Sequence, residues 1–321
     1  MAMLTDELER LRPSLFGHCY RMLGSPAEAD DAVQETLAKA WSARGSFEGR
    51  SERSTWLHRI ATHVCIDQLR ARGRRHLPVQ DHPAGTATDE LVARSSEHWI
   101  EPVPDGAALP GDVDPERRAV LRQSLRLAFV AAVQRLPARQ RAVLLLKDVL
   151  GFSADEIAET LGTTRPAVNS ALQRARASLA ATQLGLADPE MTKAQRSLVE
   201  EYVDAFHDYD IDRLVGLLTE EARMSMPPYT LWLEGPRAIG AWFLGKGAAC
   251  RGSRLVPTAA CGSVAFAQYK PVGAELRAWS LVVLELSDHR ITTMTHFLDV
   301  ETLFPRFGLE LALPRDAGTR L

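Results

Sequence analysis

The sequence predicts a multidomain protein: two all-α domains joined by an acidic linker, then a C-terminal α+β domain. Three observations carry that prediction. Helical periodicity fills residues 1–76 and 116–183. The run between them, residues 77–115, is rich in Pro, Gly, Asp and Glu, with Arg94 its only Lys or Arg. Residues 193–321 read as amphipathic helices followed by strand-like runs of β-branched and aromatic residues.

The first domain, residues 1–76, opens on Leu4, Leu8, Leu11 and Leu15 at helical spacing. Gly24-Ser25-Pro26 breaks the pattern. Ser25 is a candidate N-cap, with Pro26 in the first turn and Glu28 three residues after the cap. The helix that follows carries Ala29, Ala32, Val33, Leu37, Ala40 and Trp41 on one side, and Asp30, Asp31, Gln34, Glu35 and Lys39 elsewhere. After a polar loop, a further helix places Leu57, Ile60, Ala61, Val64 and Leu69 at core spacing and ends in Arg70, Arg72, Arg74 and Arg75. The 77–115 run holds too little apolar surface for a core and reads as a flexible linker. A second, shorter break spans 184–192.

The clearest feature is a helix-turn-helix from Ser153 to Leu179. Ser153 to Glu156 form a capping box, and Ile157, Ala158 and Leu161 bury one face of the short helix it starts. Gly162 permits the positive φ of a tight turn. Thr164 can cap the second helix, and Pro166 sits in its first turn. Val168, Leu172, Ala175 and Leu179 then form one buried stripe, leaving Arg165, Asn169, Ser170, Gln173, Arg174 and Arg176 outward. Such residues make bidentate contacts to base edges in the major groove, although a solvated polar face would show the same pattern. Upstream, Leu136 to Leu146 supplies a third helix, whose Arg139 and Arg141 are candidate phosphate contacts.

Composition narrows the classes. Hydrophobic residues make 45% of the chain and charged residues 25%, as in soluble globular proteins. No apolar stretch reaches the ~20 residues of a membrane helix, and the amino terminus lacks the apolar run of a signal peptide. A cytoplasmic location is expected. Cys19, Cys65, Cys250 and Cys261 form no CxxC pair, so neither metal nor disulfide framework is expected. The net charge of −3 is unusual for a nucleic-acid binder.

These blocks resemble a known family. LPARQRAVLLLKDVLGFSADEIAETLGTTRPAVNSALQRARASL is similar to region 4 of the extracytoplasmic-function sigma factors, and SPAEADDAVQETLAKAW with FEGRSERSTWLHRIATHVCIDQLRAR to their region 2. The tail resembles the cone-shaped SnoaL-like (NTF2-like) α+β domain. The resemblance implies two all-α sigma domains, the first a helical bundle and the second the helix-turn-helix. The implied partners are core RNA polymerase, through its β′ clamp helices and β flap, and promoter DNA. It implies no cofactor and no catalytic residue. Asp31, Gln34 and Glu35 become contacts to the clamp helices; a carboxylate-rich face suits a protein partner better than DNA. Phe47, Arg53, Trp56, Arg59 and His63 become readers of the single-stranded −10 region, where bases stack on aromatics. His63 stands where many family members have Asn. The outward set of the helix-turn-helix would read the −35 duplex, and the acidic linker would thread the polymerase cleft.

In the tail, Trp232, Trp242, Tyr269, Trp279 and His296, with Tyr229, are candidates to line a ligand pocket for a small molecule. Asp208, Asp210 and Asp212 alternate like metal ligands but lack the Gly and distal Glu of a calcium loop, so helix capping is favoured. His296 and Asp299 could form an acid–base pair. Two rival readings stay open: a dimeric helix-turn-helix regulator, and a SnoaL-like isomerase or cyclase with a DNA-binding appendage.

Overall fold

The computed structural model describes residues 2–43, 45, 52–71, 73–111, 113–180 and 191–315. They divide into two compact units: Met1–Arg75 with Asp105–Leu186, and His76–Pro104 with Ala187–Leu321.

In the first unit, α1 (Ala2–Leu23), α2 (Pro26–Ser42) and α3 (Arg53–Ala71) bury Leu15, Cys19 and Tyr20 against Ala29, Ala32, Val33, Leu57, Ala61 and Val64. The core face of α2 is built from small residues, which let α1 and α3 approach it closely. Trp41, expected on that face, is 43% exposed instead. It lies three- and four-residue steps along from Asp31, Gln34 and Ala38, so helical geometry turns it outward with the acids. Ser25 gives α2 no side-chain cap bond. Glu28 is drawn away from the cap to a buried ion pair, its Oε1 2.9 Å from Arg75 Nη2.

The rest of this unit is α5 (Asp105–Ala108), α6 (Pro115–Gln123), α7 (Leu127–Gln134), α8 (Ala138–Leu144), a π-helical turn Leu145–Val149, α9 (Ala154–Leu161) and α10 (Arg165–Ala180). Gly17 admits α5 against α1: a Cβ there would stand 2.5 Å from the Ala108 carbonyl oxygen.

Two buried guanidinium groups tie the halves of this unit together. Arg21 donates through Nε to Ser124 Oγ at 2.8 Å and through Nη2 to the Leu121 carbonyl at 2.8 Å. In return, Arg141 donates to the Met22 carbonyl and to Gln134 Oε1. Arg141 was expected to face phosphates but is only 2% exposed. Burial pushes both groups down to about 9, so they stay charged at neutral pH. Carbonyl and hydroxyl oxygens, not carboxylates, replace their lost hydration.

The second unit contains α4 (Pro78–Asp81), α11 (Lys193–Asp208), α12 (Ile211–Gly216), α13 (Gly235–Leu244) and α14 (Val300–Arg306). Its strands are β1 (Leu218–Ser225), β2 (Trp232–Glu234), β3 (Arg254–Ala260), β4 (Ser263–Val272), β5 (Glu275–Leu286), β6 (Ile291–Phe297) and β7 (Ala312–Pro314). Among the described residues these make one sheet in the order β2-β1-β6-β5-β4-β3, with β7 on β5. α12 stops at Gly216, and Leu218 begins β1, which pairs parallel to β6. One sheet face packs on the helices through Tyr202, Phe206, Trp242, Phe266, Val282 and Met294.

The segment expected to be a free linker is largely part of this second unit. Trp99 is 2% exposed, and Ile100 and Val103 are fully buried. The Cys261 amide donates to the Val103 carbonyl at 3.0 Å, and the Arg94 amide to the Pro228 carbonyl at 2.9 Å. Trp232 Nε1 donates to the His82 carbonyl at 2.7 Å, while Ala87 and Leu91 pack on the sheet–helix core. The segment makes no core of its own, as its composition requires, but borrows one. Beyond Pro104 the chain rejoins the first unit through α5, where Ala108 is 1% exposed.

Candidate nucleic-acid interface

The helix-turn-helix is assembled by local bonds. Ser153 Oγ accepts from the Glu156 amide at 3.2 Å, and Glu156 Oε2 accepts from the Ser153 amide at 2.8 Å. These bonds hold the Glu156 carboxyl below its ordinary range. Gly162 adopts φ 58°, and the Thr163 amide closes α9 on the Ala158 carbonyl at 2.9 Å. Thr164 Oγ1 lies 3.4 Å from the Ala167 amide, at the start of α10. Val168, Leu172 and Ala175 anchor α10 on α8 and α9.

The outward residues of α10 divide into three sets. Asn169, Ser170, Gln173 and Arg174 are exposed along its outer face. Arg176 is drawn aside: its Nη2 lies 2.6 Å from Asp148 Oδ1 and its Nε 3.0 Å from Oδ2. Arg165 sits 3.7 Å from Asp155. On the opposite flank, Ala167, Ala171, Val143, Leu161 and Val168 line a half-open apolar groove of about 260 Å³, rimmed by Arg139 and Arg174. Arg139, exposed on α8, also donates to the Leu161 carbonyl at 2.6 Å.

The second candidate surface is α3. Arg53 is exposed and Trp56 half-buried near its start. Arg59 and His63 follow on later turns, but both are engaged by α9. Arg59 Nη2 is 2.9 Å from Glu159 Oε2, and His63 Nε2 is 2.6 Å from the Thr160 carbonyl oxygen. Phe47 lies outside the described residues. On α2, Asp31, Gln34 and Glu35 are exposed together with Trp41, and Lys39 pairs with Glu35 at 2.7 Å.

In the second unit the candidate pocket residues do not converge. Trp242 is in the core beneath the helices. His296 shares that sheet face, opposite Val282. Trp232 is buried, with its indole on the linker segment. Tyr269 belongs to the other face, where its ring meets Phe304 and its hydroxyl donates to the Glu310 carbonyl at 2.9 Å. Side-chain alternation along β4 puts it there, three residues on from Phe266 of the helix-facing side. Trp279 is 41% exposed beneath the Lys270 ammonium, 3.2 Å from its ring centre. Asp210 accepts from the Arg213 amide at 3.0 Å, the capping role expected for it, and no metal-binding cluster occurs among the described residues.

Comparison with known proteins follows the same division. Residues 8–75 match the sigma-70 region 2 family, residues 126–179 the sigma-70 region 4 family, and residues 199–294 the SnoaL-like domain family. Over 308 residues the chain is 45% identical to the ECF RNA polymerase sigma factor SigG of Mycobacterium tuberculosis, covering 94% of this chain and 82% of that one. The chain belongs to the extracytoplasmic-function sigma factor family. It is also 32% identical over 174 residues to SigW of Bacillus subtilis, covering 54% of this chain and 85% of the relative. The crystal structure of Mycobacterium tuberculosis SigJ shares its fold, with TM-score 0.62 and 19% identity over 95% of this chain and 100% of that one. Sigma factors initiate transcription as polymerase subunits and are not enzymes, so the SnoaL-like domain here accompanies a protein without catalysis of its own.

Two features escaped the sequence reading. Trp41 was detectable in principle, since the 31-34-35-38-41 spacing is helical. The reciprocal burial of Arg21 and Arg141 left no periodic signal. Among the described residues no helix is long and apolar enough to cross a membrane.

Proposed function

We propose that the sigma function of this chain is divided among three surfaces. Sigma factors of this family bind core RNA polymerase and direct it to promoters. The observation that best supports a residue assignment is the exposed face of α10, held on a capped helix-turn-helix. Asn169, Ser170, Gln173 and Arg174 read the −35 duplex, with Arg139 across the groove as a phosphate contact. Arg165 and Arg176 contribute less base contact, being paired with Asp155 and Asp148. Asp31, Gln34, Glu35 and Trp41 form the docking face for the β′ clamp helices; a tryptophan among carboxylates is a fitting anchor for a protein interface. Phe47, Arg53, Trp56, Arg59 and His63 capture unstacked −10 bases. The chain works in the cytoplasm, where polymerase is.

The C-terminal domain modulates this activity by holding the 76–104 segment, which cannot lie in the polymerase cleft while docked. A small-molecule role for that domain is supported by three buried polar atoms without hydrogen-bond partners: Tyr202 Oη, Gln268 Nε2 and His296 Nε2.

The polymerase performs the chemistry, so binding energy is split between subunits. The chain's net charge of −3 opposes DNA when it is alone. Promoter binding is therefore expected to be weak for the isolated chain and tight for core enzyme plus chain, measured by fluorescence anisotropy and run-off transcription. Nanomolar promoter affinity without core enzyme would overturn this division.

A further inference from the structure

We infer that Asp148 is a specificity-determining residue: it withholds the Arg176 guanidinium from the DNA backbone, so that α10 grips by base edges more than by phosphates. This rests on the −35 reading proposed for α10. On that helix Arg165, Asn169, Gln173 and Arg176 follow one another at steps of four, four and three residues, so they form one stripe along its length. Two amide side chains suited to base edges are thus bracketed by two arginines, and each arginine faces an acid of its own domain. The pair at the far end is the firm one. Arg176 Nη2 and Nε lie 2.6 Å and 3.0 Å from the two oxygens of Asp148, the fork geometry that holds a guanidinium best. At the near end Arg165 stands 3.7 Å from Asp155, with both side chains largely exposed, a looser pair.

Asp148 owes its place to the π-helical turn Leu145–Val149. The turn closes by the Leu150 amide on the Leu145 carbonyl at 2.9 Å and buries Leu145, Leu146 and Val149, which leaves Lys147 and Asp148 as its polar side chains. Lys147 donates to the Phe152 carbonyl at 3.2 Å, while Asp148 reaches across to the second half of α10. Arg176 remains 57% exposed, so a DNA phosphate would compete with the carboxylate for the same fork. A phosphate contact adds affinity for every sequence alike and carries no sequence information. A duplex bound in register is fixed by its base contacts and cannot shift toward a guanidinium beyond them. An unregistered duplex slides until the charges meet. Release of Arg176 therefore helps wrong sequences more than the right one, and Asp148 denies them that help.

The test uses reconstituted holoenzyme and two probes: duplexes whose −35 elements the holoenzyme has selected from a randomised library, and the unselected library itself. Asp148→Asn, which keeps the side-chain shape, should tighten binding of the unselected library about threefold and steepen its log–log salt dependence by about one, the slope of one phosphate contact. The selected duplexes should tighten less. Adding Arg176→Gln, which returns the pair to zero net charge, should restore the original affinity and slope for the library. If Asp148→Asn acts equally with and without Arg176, only a repelling charge has been lost and the inference is overturned. Equal tightening of both probes, or no change in either, would also overturn it. Failure of the −35 premise shows differently: Asn169→Ala with Gln173→Ala would leave the preference for selected duplexes intact.

Discussion

At the scale of single residues, burial sets the chemistry. His296 faces the packed interior of the second unit, and desolvation pushes its pKa down to about 4 from the ordinary 6.5. Its neutral form is thus the one that fits the fold, whereas the unfolded chain takes up a proton below pH 6.5. Stability is full above pH 6.5 and is lost as pH falls toward 4, at roughly 1.4 kcal/mol per unit. Burial lowers His18 and His58 in the same direction, so the first unit shares the acid sensitivity. We expect amide exchange in β5 and β6 to be faster at pH 5 than at pH 7 after correction for intrinsic rates. In a His296→Gln variant most of that difference should vanish. Equal acid sensitivity in the variant would show that another group governs the domain.

At the scale of elements, the distinction that matters is between two arginines two residues apart on α10. Arg174 borders the open groove, while Arg176 spends its guanidinium on a bidentate pair with Asp148. Replacing Arg174 by Ala should weaken −35 binding by about 1–3 kcal/mol, the range of one base or phosphate contact. Replacing Arg176 by Ala should cost markedly less in DNA binding, because its charge is already neutralised. Measured affinities of the two holoenzymes for the same promoter decide this. Equal losses would show that Arg176 leaves Asp148 when DNA arrives.

At the scale of the whole molecule, residues 76–104 belong by packing to a domain that follows them by more than eighty residues in sequence. Truncating the chain after Ala187 should therefore release that segment, exposing Trp99, Ile100 and Val103. Limited proteolysis is expected to cut within 77–103 far faster in the truncated chain than in the full one. Promoter-dependent transcription should change in parallel, since the freed segment is available to polymerase. Unchanged transcript levels alongside rapid cleavage would separate the structural role of the C-terminal domain from the regulatory one proposed for it.

The sequence by itself determined the local structures: the capped turn from Ser153 to Leu179, the buried stripe of α10, and the strands from Ser263 to Phe297. Each of these is written in short-range periodicity, capping residues and turn residues, which act over a few positions. Tertiary structure alone decided where the linker lies, because its few apolar residues bury only on a sheet formed much later in the chain. It also decided that Trp41 faces outward and that Arg141 is interior. Above all it decided that Arg59 and His63 are held by α9 across nearly a hundred residues. Such pairings depend on which surfaces meet, and no local pattern of residues encodes that.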